Sequence, residues 1–163
     1  MILLSLDVKK CMSEILLKDT FDTYLLINAE ITTYATFSID GYLQKEYFAE
    51  EKLETTMPEY TLWHSVKGHC LSLIKGKRTP LRFKFVFSLP ADKVETLIKT
   101  SGLSVTTDDI QGLYLNFQYN GTQLQCTTGS SLHTFSMDKS VEHAWDGIVK
   151  ELFKEHGVEF EIL

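Results

Sequence analysis

The stretch Leu81–Phe87 constrains this chain more than any other, because Leu81, Phe83, Phe85 and Phe87 alternate with Arg82, Lys84 and Val86. Successive side chains of a strand point to opposite faces. A period of two therefore puts three phenylalanines on one side of a sheet and two cations on the other. Leu113, Leu115, Phe117 and Tyr119 repeat the pattern against Tyr114, Asn116 and Gln118. Asn120-Gly121 follows at once, a hairpin signal that leads into a strand over 122–128. Ile31, Thr33, Ala35, Phe37 and Ile39 form a third alternating set. One packed face and one wet face are the mark of an antiparallel sheet.

Helical periods lie between these strands. After a short strand over 2–6, Val8, Cys11, Met12, Ile15 and Leu16 fall at i, i+3, i+4, i+7 and i+8, with Asp7 in front as N-cap. Tyr60–Ile74 predicts a helix ended by a left-handed Gly76. Pro90 opens another that reaches Gly102, and Leu103–Gln111 is a loop. Asp138 caps a last helix, which Gly157 stops before a final strand over 158–163. Thr23–Ala29 and Ile31–Ile39 are strands, Asp40-Gly41 is a hairpin turn, and Tyr42–Phe48 is its return strand. Gly129-Ser130-Ser131 predicts a turn into a strand over 132–137. Ala49–Met57, acid-rich and closed by Pro58, is a loop or internal boundary.

The expected fold is thus α+β: two β-α-β-β-β units, Ile2–Phe48 and Leu81–Met137, with a mainly antiparallel sheet, a middle helix and a C-terminal helix. The units predict pseudo-repeat halves, 1–57 and 58–163, within a single domain over 1–163. Their residue identity is poor, so the likeness is one of plan. Packed with sheets outward and helices side by side, such units resemble one domain of a sliding DNA clamp, which implies a clamp-like structural subunit.

A chain of 163 residues buries enough surface to need no disulfide or metal staple. Its three cysteines, Cys11, Cys70 and Cys126, are an odd number in apolar settings, which argues against a disulfide framework. The apolar start, Met1 to Leu6, is too short for a secretory core, and no run approaches a membrane span. A cytoplasmic location without membrane contact is expected.

The net charge is −6, yet no acidic residue lies between Glu59 and Asp92. That window carries Lys67, Lys75, Lys77, Arg78, Arg82 and Lys84, including both arginines of the chain. Lys75-Gly76-Lys77-Arg78-Thr79-Pro80 gathers three bases around a glycine turn, and Arg82 and Lys84 extend the patch along the wet face of the next strand. Arginine offers a planar donor fork and lysine a point charge, the pair suited to phosphate or carboxylate. Lys75, Lys77, Arg78, Arg82 and Lys84 are therefore the candidate anion-binding residues, for an anionic ligand or nucleic acid. The competing reading is a solvated face neutralised by the acidic stretches 40–59 and 138–161.

Catalytic signatures fail. Gly76-Lys77 is followed by Arg78 where a phosphate-binding loop needs Ser or Thr, and Gly129-Ser130-Ser131 lacks the second glycine of a nucleophile elbow. His64 and His69 lie five apart, off a common helical face, and with Cys70 they match no zinc spacing. His143 and Asp146 share what reads as the exposed side of the last helix. Glu50, Glu51 and Glu54 read as a solvated charge run. No cofactor or metal site is expected. The favoured role is a non-enzymatic binding or interaction protein. A small hydrolase or metal-dependent enzyme, motivated by the histidines and the Thr127–Ser131 turn, is the alternative, and a homo-oligomer is compatible with either.

Several segments carry a resemblance: 17–22 (Leu-Lys-Asp-Thr-Phe-Asp), 31–37 with Ile39-Asp40-Gly41, 74–81 (Ile-Lys-Gly-Lys-Arg-Thr-Pro-Leu), 126–132 and Ala144-Trp145-Asp146. Together they resemble a family of small bacterial proteins with no assigned activity. The resemblance spans essentially the whole chain. It implies one full-length domain in a bacterial cytoplasm and brings no catalytic residues.

Overall fold

The computed structural model describes residues 1–48 and 57–163. The expected loop over 49–57, with Glu50, Glu51 and Glu54, thus lies outside the described residues except for Met57. The elements run β1 (Leu3–Leu6), α1 (Val8–Leu16), β2 (Leu25–Thr32), β3 (Thr36–Asp40), α2 (Trp63–Ile74), β4 (Arg82–Ser88), α3 (Ala91–Thr100), β5 (Ile110–Tyr119), β6 (Leu124–Leu132), α4 (Ser140–Glu155) and β7 (Phe160–Ile162). The fold is α+β. All seven strands form one antiparallel sheet in the order β3-β2-β4-β5-β6-β1-β7.

The alternating strands dictate the layering. Phe83, Phe85 and Phe87 turn to one face, where Ala29 and Phe117 stand beside Phe85 in register. The helices cover that face. Trp63 at the start of α2 lies against Phe85 and Phe87, with ring centroids 5.2 and 4.9 Å away. Phe21 joins Phe87 and Phe117, each at 5.6 Å, and Phe153 of α4 meets Phe117 edge-on. These rings are fully buried, each worth roughly 1.5–3 kcal/mol in transfer from water. Both indole N–H groups find acceptors: Trp63 Nε1 donates to the Ile15 carbonyl at 2.8 Å and Trp145 Nε1 to the Tyr114 carbonyl at 3.1 Å.

Each unit has one strand fewer than expected. The turn after β2 falls at Thr33-Tyr34-Ala35, which splits the predicted strand Ile31–Ile39. Tyr42–Phe48 is no return strand: Tyr42 makes an isolated bridge to Tyr60, and Lys45–Phe48 is a 3-10 turn. Gly41 has no positive φ. It is there for room, because a Cβ would lie 1.7 Å from the Leu26 carbonyl oxygen. At that point residues 59–62 wedge between the chain at 41–43 and the start of β2. Thr61 N–H donates to the Gly41 carbonyl, Leu26 N–H to the Thr61 carbonyl and Leu43 N–H to the Glu59 carbonyl, at 2.8–2.9 Å. These bridges also claim Tyr60–Leu62, so α2 starts at Trp63.

In the second unit, Gly129-Ser130-Ser131 is not a turn but part of β6, which pairs with β5 from Leu124 to Leu132. Gly129 faces Tyr114 across the ladder, where a Cβ would meet the Tyr114 side chain at an ordinary 3.7 Å. The predicted strand over 132–137 is irregular chain beyond Leu132. Gly76 has no left-handed conformation either; Lys75 leaves α2 extended, and its N–H closes the last turn onto Leu71. Asn120-Gly121 does form the hairpin, with Gly121 at φ +102°. Asp7 caps α1 through the Lys10 N–H, and the Asp138 carboxylate accepts from Ser140 N–H beside the start of α4. The two units, each now β-α-β-β, enter a continuous sheet rather than two outward sheets. Their places differ: β4 pairs directly with β5, whereas β1 lies between β6 and β7, far from β2.

Candidate anion-binding cleft

The face opposite the helices is built of rows that cross the sheet, because side chains paired in register share a face. One row runs Ser38, Glu30, Lys84, Gln118, Gln125, Ser5, through β3, β2, β4, β5, β6 and β1. The next toward the β5–β6 hairpin starts with Thr36, Thr32 and Arg82. On the other side of the Lys84 row lie Asn28, Val86, Asn116 and Thr127, where Asn116 Oδ1 is buried without a hydrogen-bond partner among the described residues. Strand spacing places neighbours in a row about 5 Å apart. The face is therefore polar, with Arg82 and Lys84 at one end and carboxylates in the same rows: Glu30 beside Lys84, Asp40 beside Asn28 and Glu161 beside Ser5.

At that end Arg82 and Lys84 line a cleft of about 370 Å³ together with Gln118, Asn120, Gln123 and Gln125. The cleft also holds Glu30 and Thr32. Among the described residues no carboxylate forms an ion pair with either cation; Lys67, by contrast, is spent on Asp22 at 2.6 Å.

The sequence-predicted patch is divided. Arg82 and Lys84 face the cleft. Lys75, Lys77 and Arg78 are exposed on the turn from α2 to β4, outside the cleft lining. That turn is tied to the same end of the sheet: Leu81 N–H donates to the Thr32 carbonyl at 2.9 Å, and Gly121 of the β5–β6 hairpin lies against the Leu81 carbonyl. Tyr34, on the β2–β3 turn at this end, is 92% exposed and meets Phe37 edge-on. Sequence reasoning passed it over because its alternation partner set was read as one long strand.

Three carboxylates elsewhere are saturated structural groups: Glu14, Asp22 and Asp146. Glu14 is 2% exposed; its carboxylate accepts from Thr20 Oγ1 and from Lys18 Nζ at 3.0 Å, with Lys10 Nζ at 3.2 Å and His156 Nδ1 at 3.5 Å. Burial alone raises its pKa, but the bonds from Thr20, Lys18 and Lys10 prevail and hold it at about 2. Burial likewise opposes ionisation of Asp22, and Lys67 and His64 outweigh it, so its pKa is lowered. Asp146 does not lie on the exposed side with His143. It is buried and accepts from Thr128 Oγ1 at 2.5 Å, because Thr128 sits on the helix-facing side of β6. Ser130 stays within a strand, so no elbow forms around it. Among the described residues no three His, Cys, Asp or Glu side chains converge as metal ligands, and no helix is long and apolar enough to cross a membrane. Cys11, Cys70 and Cys126 are free and buried.

No curated protein and no solved structure matches the chain. A family model described as Family of unknown function (DUF5721) matches residues 14–161, and the chain, with its α+β sheet and polar open face, belongs to that family.

Proposed function

We propose that the protein is a non-enzymatic binding protein that holds a phosphate- or carboxylate-bearing ligand at the cationic end of its open sheet face. Arg82 and Lys84 supply the direct contacts. Lys75, Lys77 and Arg78 on the adjoining turn supply a surrounding positive field, which raises the local concentration of anions on an otherwise acidic body. The observation that carries the reading is that two cations, with no ion pair among the described residues, share one concavity with four side-chain amides and the single carboxylate of Glu30. The amides give directional bonds to oxygens that the charges attract. A bacterial, cytoplasmic setting goes with this reading, and three thiols that are all free and buried support a reducing compartment.

The test is calorimetric titration with pyrophosphate and, separately, with a single-stranded oligonucleotide at low salt. Arg82→Gln with Lys84→Gln should weaken pyrophosphate binding by about 10- to 100-fold, the cost of two charge-assisted contacts. Lys77→Glu with Arg78→Glu should abolish the salt-sensitive part of binding and leave the melting temperature unchanged, since both side chains are exposed. Wild type that binds neither probe at low salt overturns the proposal. Oligonucleotide binding without pyrophosphate binding would assign the face to nucleic acid.

A further inference from the structure

A second cavity opens at the opposite end of the sheet, independent of the cationic cleft. It encloses about 260 Å³ between the start of β2, the start of α3 and the start of β5. Leu25, Ile27, Leu89, Val94 and Ile110 supply its apolar wall, and Glu59, Tyr60, Tyr114, Ser88, Thr107 and Gln111 its polar groups. This volume falls below the roughly 300–1,000 Å³ of sites for drug-sized molecules, so the cavity suits a small ligand.

Both tyrosine rings are held in place before anything binds. Tyr114 folds back over Gly112, where a Cβ would stand 2.3 Å from the ring; only glycine permits that pose. Tyr60 is fixed by the wedge of residues 59–62: it bridges to Tyr42, packs edge-on against the Tyr42 ring at 5.8 Å, and is followed by Thr61, whose N–H and carbonyl are both bonded. Burial pushes the Tyr114 hydroxyl's pKa up, and nearby Tyr60 and Glu59 add to it, as expected where the local potential is negative.

Charge and geometry favour a cation here. No lysine or arginine lines the cavity among the described residues. At the first turn of α3 the Lys93 and Val94 amides donate to the Pro90 carbonyl, which leaves those of Ala91 and Asp92, and the Glu59 carboxylate in the same lining opposes an anion there. The Lys93 ammonium is turned away, bonded to Thr23 Oγ1 and seated over the Tyr24 ring. A methylated ammonium has no N–H to satisfy, and its diffuse charge suits aromatic faces.

We propose that this cavity binds the methylated ammonium group of a small organic cation, with Tyr60 and Tyr114 as the aromatic contacts and Glu59 as counter-charge. Choline is the probe, and 3,3-dimethyl-1-butanol, which has its shape without its charge, is the control. Titration followed by amide chemical shifts should show millimolar choline binding centred on residues 59–62 and 110–114. The neutral alcohol should bind at least about tenfold more weakly. Glu59→Gln should weaken choline about fivefold, and Tyr114→Leu about tenfold, while Tyr114→Phe, which keeps the ring, should stay within about twofold. Glu59 is exposed, so Glu59→Gln keeps the test open if Tyr114→Leu fails to fold. Co-sedimentation with phosphatidylcholine vesicles would assign the group to a lipid headgroup; choline binding without it would assign a free solute. Equal binding of the alcohol, unchanged affinity in Glu59→Gln, or shifts centred elsewhere overturns the proposal, as does no binding at about 50 mM choline, far above the millimolar Kd expected.

Discussion

Replacing Glu14 by Gln tests how much a buried carboxylate holds this fold together. Glu14 on α1 ties the chain at Lys18 and Thr20 to its own helix and faces His156 at the end of α4. Its pKa falls from an ordinary 4.5 to about 2 on folding. Each unit corresponds to about 1.36 kcal/mol, so the ceiling on its contribution is about 3 kcal/mol. The Lys10 and Lys18 side chains are 36% and 49% exposed, and solvent screening reduces the expected figure to about 2 kcal/mol. A depressed folded-state pKa stabilises the native state above the unfolded value, and that contribution drains away as pH falls from about 4.5 toward 2. Urea unfolding of wild type and Glu14→Gln at pH 7, 4 and 2 measures it. The variant should be about 2 kcal/mol less stable at pH 7, equivalent to a melting temperature roughly 4–8 °C lower, and nearly equal to wild type at pH 2. A deficit of the same size at pH 7 and pH 2 would refute the electrostatic account and assign the loss to packing.

Two glycines should respond oppositely to alanine. Gly41→Ala drives a methyl into the Leu26 carbonyl and should destabilise by at least about 2 kcal/mol, whereas Gly68→Ala in α2, with nothing within 4 Å of the new Cβ, should stabilise by about 0.5–1 kcal/mol; thermal melts of the pair decide it, and a neutral Gly41→Ala would mean the wedge at residues 59–62 yields easily. The thiols should be inert in the native state. Burial pushes the pKa of Cys70 to about 12 and raises those of Cys11 and Cys126 as well; iodoacetamide at pH 8 should label none until urea unfolds the chain, as read by intact mass.

The parts of this fold that were legible were those where one local cause acts alone. Alternation over 81–87 located β4 because burial on one face sets the period, and Asn120-Gly121 located a hairpin because its glycine needs a positive φ. Asp40-Gly41 misled because the same dipeptide serves another end: Gly41 is small to admit a carbonyl from a strand fifteen residues upstream, a demand that no local pattern reveals. Gly129 misled because a glycine inside a ladder carries no local mark that separates it from a turn glycine; it stands opposite Tyr114 within β6. The cationic end of the open face was visible as a run without carboxylates, and the alternation correctly separated Arg82 and Lys84 from the phenylalanines. The Glu59–Tyr60–Tyr114 cavity was invisible, because its members meet only after residues 59–62 have wedged beside β2.

The position of β1 has a consequence for how the protein is made. Leu4 stands opposite Cys126 on one side and Ile162 on the other. Synthesis proceeds at about 5–20 residues per second, so β1 waits on the order of ten seconds for either neighbour to be made. Through that interval β1 lacks both of its sheet neighbours, which lie far downstream in the chain. A chaperone that holds β1 until β6 is made would therefore influence yield more than one acting on the middle of the chain.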